Sequence, residues 1–124
     1  MLAIDWSHNK GLATFNGKTL RTEDKGQLLK RLRGESITAI KSNIVLKPQI
    51  VLEDGCPLSL AYYLSEIGCE INVIDNHATE DYRKEHNIEK TDENDAKIIY
   101  QLANNGARLR KLKIDETILL VRSY

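Results

Sequence analysis

The stretch IVLEDGCPLSLAYYLSEIGCEINVID, residues 50–75, decides the fold because its pattern is that of a strand, a helix and a second strand. The first run is β-branched and ends at Glu53, and the last run alternates and ends at Asp75. One apolar stripe at helical spacing lies between Pro57 and Gly68, residues that favour a helix start and a helix end. A strand, a helix and a strand predict a parallel pair with a right-handed crossover, so both strand ends lie on one edge of the sheet.

The residues before this unit predict an antiparallel meander followed by a short helix. Two apolar runs, LAID and GLATF, precede Asn16-Gly17, a dipeptide typical of a two-residue hairpin turn, and KTLRT then returns as a third strand. Leucines recur at helical spacing over residues 24–33, which predicts a helix with Gly34 as its natural stop.

The residues after the parallel unit predict two further segments of different character. Residues 77–87, HATEDYRKEHN, have no apolar stripe and fit a polar helix or a loop. Thr91 is a typical helix N-cap, and the pattern from Asp92 stays helical until Asn104. Asp92 and Asp95 lead the apolar stripe of this last helix, so their carboxylates belong to the face that packs inward.

Four acidic residues are candidates for one site at the sheet edge. The helix dipole and helix capping also favour acids in a first turn, which is the simpler explanation for Asp92 and Asp95. Asp5 and Glu53, however, stand at the ends of apolar strands, where a buried charge is costly unless it is paired or bound to a cation. Converging carboxylates repel one another, and a hard divalent cation such as Mg²⁺ or Mn²⁺ relieves that repulsion. A cation site and simple capping both remain open at this point.

Composition limits the class of protein. A chain of 124 residues with a hydrophobic fraction of 41% fits one compact domain. Its net charge of zero argues against binding nucleic acid through bulk positive charge alone. We find neither an apolar run of about 18 residues nor a signal-peptide pattern, and we therefore expect a cytoplasmic protein without a membrane span.

The order of the acids resembles that of the ribonuclease H-like nucleases: one on the first strand of a meander, one on a later parallel strand, and a D-x-x-D pair that opens a helix. Three segments, AIDWSHNK, IVLEDGCPLSLAYYLSEIGCEINVID and KTDENDAKIIYQLA, resemble the amino-terminal RuvC-like domain of the DEDD transposases, the insertion-sequence recombinases that include Piv-like DNA invertases. KTDENDA is the most specific segment. The resemblance implies an α/β, ribonuclease H-like (RuvC-like) mixed sheet flanked by helices over residues 1–106, with a basic segment and the start of a connecting helix over residues 107–124.

The resemblance also implies a site and a cofactor. The acids of the family's catalytic metal site, which holds Mg²⁺ or Mn²⁺, correspond to Asp5, Glu53, Asp92 and Asp95. The family turn after the glutamate commonly contains A-T-G or S-T-G, whereas this chain has DGC and therefore an additional acid, Asp54. Because adjacent strand residues alternate, we expect Asp54 to face away from the site, and we expect Asp75 to be a solvated loop acid.

The partners that the resemblance implies are DNA and a guide-type RNA, and the full-length protein is expected to be a homo-oligomer. Members of the family continue into a second domain that carries a serine nucleophile, and we expect this chain to stop before that missing carboxy-terminal domain. Residues 108–113, Lys10 and Lys90 are candidates for contacts with backbone phosphates.

Three interpretations follow. The first is the metal-dependent catalytic domain of a DNA transposase or recombinase. The second is a free-standing RuvC-like Holliday junction nuclease, which requires the same four acids and cleaves branched DNA without further domains. The third is a non-catalytic remnant that binds nucleic acid or a partner through the fold alone. The four intact acids favour the first two interpretations.

Overall fold

The computed structural model describes residues 1–7, 11–43, 47–55 and 57–112, which form an α/β fold with one mixed sheet flanked by helices. The strands are β1 (Leu2–Ser7), β2 (Gly11–Phe15), β3 (Leu20–Glu23), β4 (Gln49–Glu53), β5 (Glu70–Ile74) and β6 (Leu109–Lys111). The helices are α1 (Lys25–Lys41), α2 (Leu58–Ile67), α3 (Asn76–His86) and α4 (Asp92–Asn104). The strand order is β3-β2-β1-β4-β5-β6.

The predicted parallel unit is confirmed. β4 and β5 pair in parallel up to Glu53 and Ile74, with α2 as the connection between them. α2 is capped by Gly68, whose N–H donates to the carbonyl groups of Leu64 and Ser65. Its left-handed φ of 100° lets the next N–H, that of Cys69, donate to the carbonyl of Leu64 at 3.1 Å. β1 also runs parallel to β4 on its other side, so β4 lies at the centre of the parallel part of the sheet.

The predicted meander is confirmed, but its two-residue turn is wrong. β2 pairs antiparallel with β1 and β3, and residues 16–19 form the loop between β2 and β3. Gly17 takes a positive φ of 95°, whereas Asn16 builds the loop through its side chain. Its Oδ1 accepts hydrogen bonds from the backbone N–H groups of Lys18 and Thr19 at 2.9 and 2.7 Å. The asparagine therefore replaces part of the ladder with a side-chain turn.

The predicted stop of the first helix at Gly34 is also wrong, because α1 continues for another two turns. A glycine ends a helix where it takes a left-handed conformation, and Gly34 stays right-handed within α1. The continuation is held by Ala39, which is buried, and the left-handed residue is Asn43, with a φ of 58°. α1 is the longest described helix at 17 residues, and no helix in the described ranges is long and apolar enough to cross a membrane.

The helices cover the two faces of the sheet, and strand alternation assigns each buried side chain to one face. Ile4 and Leu52 point to the face that packs against α1 and α2. Their neighbours Ala3 and Val51 point to the opposite face, where they pack with Ile99 of α4. Asp5 on β1 and Glu53 on β4 follow the same alternation, so their side chains lie on the face that α4 covers.

Part of the basic segment that the sequence placed after residue 106 belongs to the sheet. β6 pairs antiparallel with β5, and Leu109 packs with the core on the α4 face. Arg110 and Lys111 extend from this edge strand and form ion pairs with Asp54 and Glu70 at 3.2 and 3.3 Å. The predicted start of a connecting helix, from Ile114 onwards, lies outside the described residues.

The packing of α4 on the sheet generates a stability prediction. Ile99 is 0% exposed, so Ile99→Ala leaves a cavity between α4 and the strands. We expect this change to lower the free energy of unfolding by about 2–5 kcal/mol, as measured by chemical denaturation. Ile37→Ala on α1 is the control because Ile37 is 49% exposed, and we expect less than about 1 kcal/mol there. Equal losses in the two variants would contradict the packing described for α4.

Candidate metal centre

The register of the two central strands brings Asp5 and Glu53 together. Ala3 pairs with Val51, and the same parallel register two residues later sets Asp5 beside Glu53. Glu53 ends β4 as predicted, whereas β1 continues past Asp5 to Ser7. Alternation then directs both carboxylates to the face that α4 covers. On its other side Asp5 is paired with Ala13, whose small side chain leaves room for a carboxylate.

Helix α4 adds the two aspartates from above the sheet. Thr91 caps the helix, since its hydroxyl accepts a hydrogen bond from the backbone N–H of Asn94 at 3.1 Å. Ile99 anchors the helix in the core on this face of the sheet. Asp95 lies one turn before Ile99 on the same helix face and therefore reaches the strand ends. Asp92 lies a further turn towards the helix start, at the margin of the same cleft.

Three of the four predicted acids form one close group. Oxygen atoms of Asp5, Glu53 and Asp95 all lie within 4.8 Å of one another. Asp5 is 9% exposed and Asp95 is 5% exposed, so neither is a surface acid. Asp92 is half-buried and lies close enough for its charge to raise the pKa of Asp5, although it is not a member of the close group. The structure thus brings together all four residues, with Asp92 at the edge.

Burial and mutual repulsion make the fully ionised group costly. Burial, followed by the negative charges of Asp95, Glu53 and Asp92, raises the pKa of Asp5 to about 8. Burial also raises the pKa of Glu53 and that of Asp95. Without a cation, a proton on Asp5 therefore lowers the negative charge of the group at neutral pH. A divalent cation supplies the same neutralisation from outside the protein.

Two side chains that contact the acids were missed by the sequence reasoning. The hydroxyl of Thr79 donates to Oε2 of Glu53 at 2.8 Å, and Nη1 of Arg83 donates to Oδ1 of Asp95 at 2.8 Å. Both residues belong to α3, which has no apolar stripe that would orient it on the core. Their separation of four residues places both side chains on one face of a helix. This spacing is the only signal in the sequence that relates the two residues.

The acids line an open cleft of about 510 Å³ at the carboxyl ends of β1 and β4. The lining residues are Asp5, Trp6, Glu53, Asp54, Gly55, Asn76, Thr79, Glu80, Arg83, Lys90, Asp92 and Asp95. Asp54 lies at the rim and directs its carboxylate to Arg110, and Asp75 caps α3 by accepting from the N–H of His77 at 2.8 Å. Neither joins the close group. Asp54 nevertheless lines the cleft, although we expected it to face away, and Asp75 is exposed as expected but acts as a helix cap.

The donor set fits a hard divalent cation. Mg²⁺ and Mn²⁺ prefer carboxylate oxygens, which this group supplies from three different elements of the fold. Soft metals select cysteine or histidine, and neither residue type is among the described residues that line the cleft. The three close acids are therefore able to hold a metal ion, with Asp92 within reach of the same cleft.

No protein-family model matches this chain, and a search of curated proteins finds no significant match to it. Any functional assignment therefore rests on the residues of the cleft and on the sequence resemblance that first singled them out.

The raised pKa of Asp5 predicts how stability depends on pH when divalent cations are removed. The folded protein keeps a proton on Asp5 up to a pKa of about 8, whereas the ordinary value is 3.8. Between these values the folded state binds more protons than the unfolded state, so stability falls as the pH rises. Asp5→Asn cannot ionise, and we expect it to exceed wild type by on the order of 2 kcal/mol at pH 8 while differing little at pH 4.

Urea denaturation in EDTA at a series of pH values measures this difference. A wild-type protein whose stability relative to Asp5→Asn stays constant from pH 4 to pH 8 would contradict a buried, repelling carboxylate at this position.

Proposed function

We propose that this chain is the metal-dependent catalytic domain of a DEDD transposase or recombinase, which acts on phosphodiester bonds of DNA with Mg²⁺ or Mn²⁺. The observation that carries the proposal is the convergence of Asp5, Glu53 and Asp95 from β1, β4 and α4, with Asp92 beside them. Asp5, Glu53 and the Asp92–Asp95 pair are far apart in sequence, and the resemblance to the DEDD family selects the same four residues.

The architecture supports the proposal. The ribonuclease H-like arrangement that the resemblance implies has an antiparallel meander beside parallel strands, with acids at the ends of the first and fourth strands. Here β3, β2 and β1 form such a meander, and β1 and β4 pair in parallel. Glu53 ends β4, and Asp5 lies on β1 two residues before its end. α4 then supplies the D-x-x-D pair across the strand ends.

The chemistry assigns a role to each group of side chains. Asp5, Glu53 and Asp95 would hold the divalent cation, and Asp92 extends the acidic surface towards the mouth of the cleft. When bound, the cation would supply positive charge that favours attack of an oxygen on a DNA phosphate and departure of the leaving oxygen. Lys90 is exposed on the same lining and can contact the phosphate backbone without competing for the buried acids.

The cleft also explains how an electrically neutral protein can act on DNA. The overall net charge of zero gives no general attraction to phosphate. Acidic groups that have bound a divalent cation attract phosphate locally, and the nearby cations Lys90 and Arg83 line the same cleft. We propose DNA as the substrate, while a guide-type RNA and a homo-oligomeric state of the full-length protein remain predictions from the family resemblance.

Metal binding provides the first test of the function. We expect Mn²⁺ to bind wild type in calorimetric titration and to raise its unfolding temperature, since a ligand that binds only the folded state stabilises it by mass action. We expect Asp95→Asn to lower the affinity at least about tenfold, equivalent to ~1.4 kcal/mol. Asp54→Asn is the matched control because Asp54 lines the same cleft but pairs with Arg110.

DNA cleavage then separates the remaining interpretations. With Mn²⁺, nicking of DNA by wild type and by Asp54→Asn, but not by Asp95→Asn, supports metal-dependent phosphodiester chemistry at the acids. Preferential cleavage of four-way junctions would favour a free-standing RuvC-like nuclease instead. Failure of wild type to bind Mn²⁺, with or without DNA, would contradict the proposal and favour a non-catalytic remnant.

A further inference from the structure

We propose that Thr79 and Arg83 are positioning residues of the metal centre, through which α3 holds one oxygen of Glu53 and one oxygen of Asp95 and leaves the other oxygen of each free for the cation. The inference rests on the proposed function, since it requires a cation at the acids. Neither Thr79 nor Arg83 belongs to the four acids of the family motif, so this role of α3 is an addition to that motif.

The contact between Thr79 and Glu53 is buried and specific. Thr79 is 0% exposed, and its hydroxyl lies 2.8 Å from Oε2 of Glu53 and 2.9 Å from the carbonyl oxygen of Asn76. A hydroxyl has a single proton, and a carboxylate is the stronger acceptor of the two. The hydroxyl therefore donates its proton to Oε2 of Glu53. This hydrogen bond fixes Oε2 and leaves Oε1 without a bond from Thr79.

The contact between Arg83 and Asp95 repeats the arrangement on the second acid. Nη1 of Arg83 lies 2.8 Å from Oδ1 of Asp95, and both side chains are largely buried. A guanidinium is planar, so it fixes the orientation of the carboxylate as well as its charge. Oδ2 of Asp95 is left for another ligand.

Both hydrogen bonds to the acids come from one turn of α3. Thr79 and Arg83 are four residues apart and share a face of α3, and both line the cleft that contains the acids. Most of α3 is polar, and Thr79 is the side chain that it buries most completely. A helix that packed only for stability would bury apolar residues towards the sheet. The face of α3 that is directed towards the cleft is instead polar, and it donates hydrogen bonds to the carboxylates of Glu53 and Asp95.

Such outer contacts matter in metal centres because they orient the ligands, and their loss commonly costs 10–100-fold in metal affinity. A role in stability alone makes a different prediction. A buried hydrogen bond that only stabilises the fold affects the unfolding of the metal-free protein and leaves the affinity for a cation unchanged.

The test measures Mn²⁺ affinity, with the metal alone, by calorimetry and by electron paramagnetic resonance of free Mn²⁺. Thr79→Val keeps the shape of the side chain and removes the hydroxyl, and we expect about 10–100-fold weaker binding. Thr79→Ser restores the hydroxyl and should bind within about threefold of wild type. Arg83→Lys keeps the charge but loses the planar fork, and we expect about tenfold weaker binding.

Thr38→Val is the matched control, because the hydroxyl of Thr38 donates to the carbonyl of Gly34 at 2.9 Å on α1, which packs on the face of the sheet opposite to α4. We expect its affinity for Mn²⁺ to equal that of wild type. Urea denaturation of every variant in EDTA shows how much of each effect comes from the stability of the fold.

The outcomes separate the two proposals. If wild type binds Mn²⁺ and Thr79→Val and Arg83→Lys bind it equally well, the positioning role is overturned and the proposed function stands. If wild type binds Mn²⁺ neither alone nor in the presence of DNA, the proposed function fails at that step, before any α3 variant is compared. Weaker binding by Thr79→Val together with recovery in Thr79→Ser supports the positioning role.

Discussion

Repulsion among buried carboxylates at one edge of the sheet is the constraint on which the rest of the structure depends. Strand register and the packing of α4 force Asp5, Glu53 and Asp95 into one group, and two of these residues are almost completely buried. Among the described residues, Arg83 is the cation that bonds directly to the group. One positive charge does not balance three clustered acids, two of them buried, so the fold favours a further cation or a bound proton.

The same constraint explains the unusual character of α3. A surface helix ordinarily turns an apolar stripe towards the core, whereas α3 turns Thr79 and Arg83 towards the acids. Because its inner face is polar, α3 buries less apolar surface against the sheet. In return it supplies hydrogen bonds to the carboxylates of Glu53 and Asp95. The stability of α3 and the geometry of the cleft are therefore coupled through two side chains.

Sequence reasoning reached the elements whose signals are local. Gly68 and Thr91 mark the end of α2 and the start of α4, and β-branched runs mark β4, because caps and periodicity act over a few residues. Gly34 misled the reasoning since a glycine inside a helix and one beyond its end look the same in sequence. Thr79 and Arg83 were missed because their partners lie on other elements, and only the tertiary arrangement brings them together.

Anomalous diffraction from crystals soaked in Mn²⁺ locates the cation itself rather than its effects on stability or activity. We expect an anomalous peak in contact with carboxylate oxygens of Asp5, Glu53 and Asp95, with Thr79 still bonded to Oε2 of Glu53 and Arg83 still bonded to Oδ1 of Asp95. No peak at this position under saturating Mn²⁺, or peaks only at surface acids such as Asp54 and Asp75, would contradict this expectation.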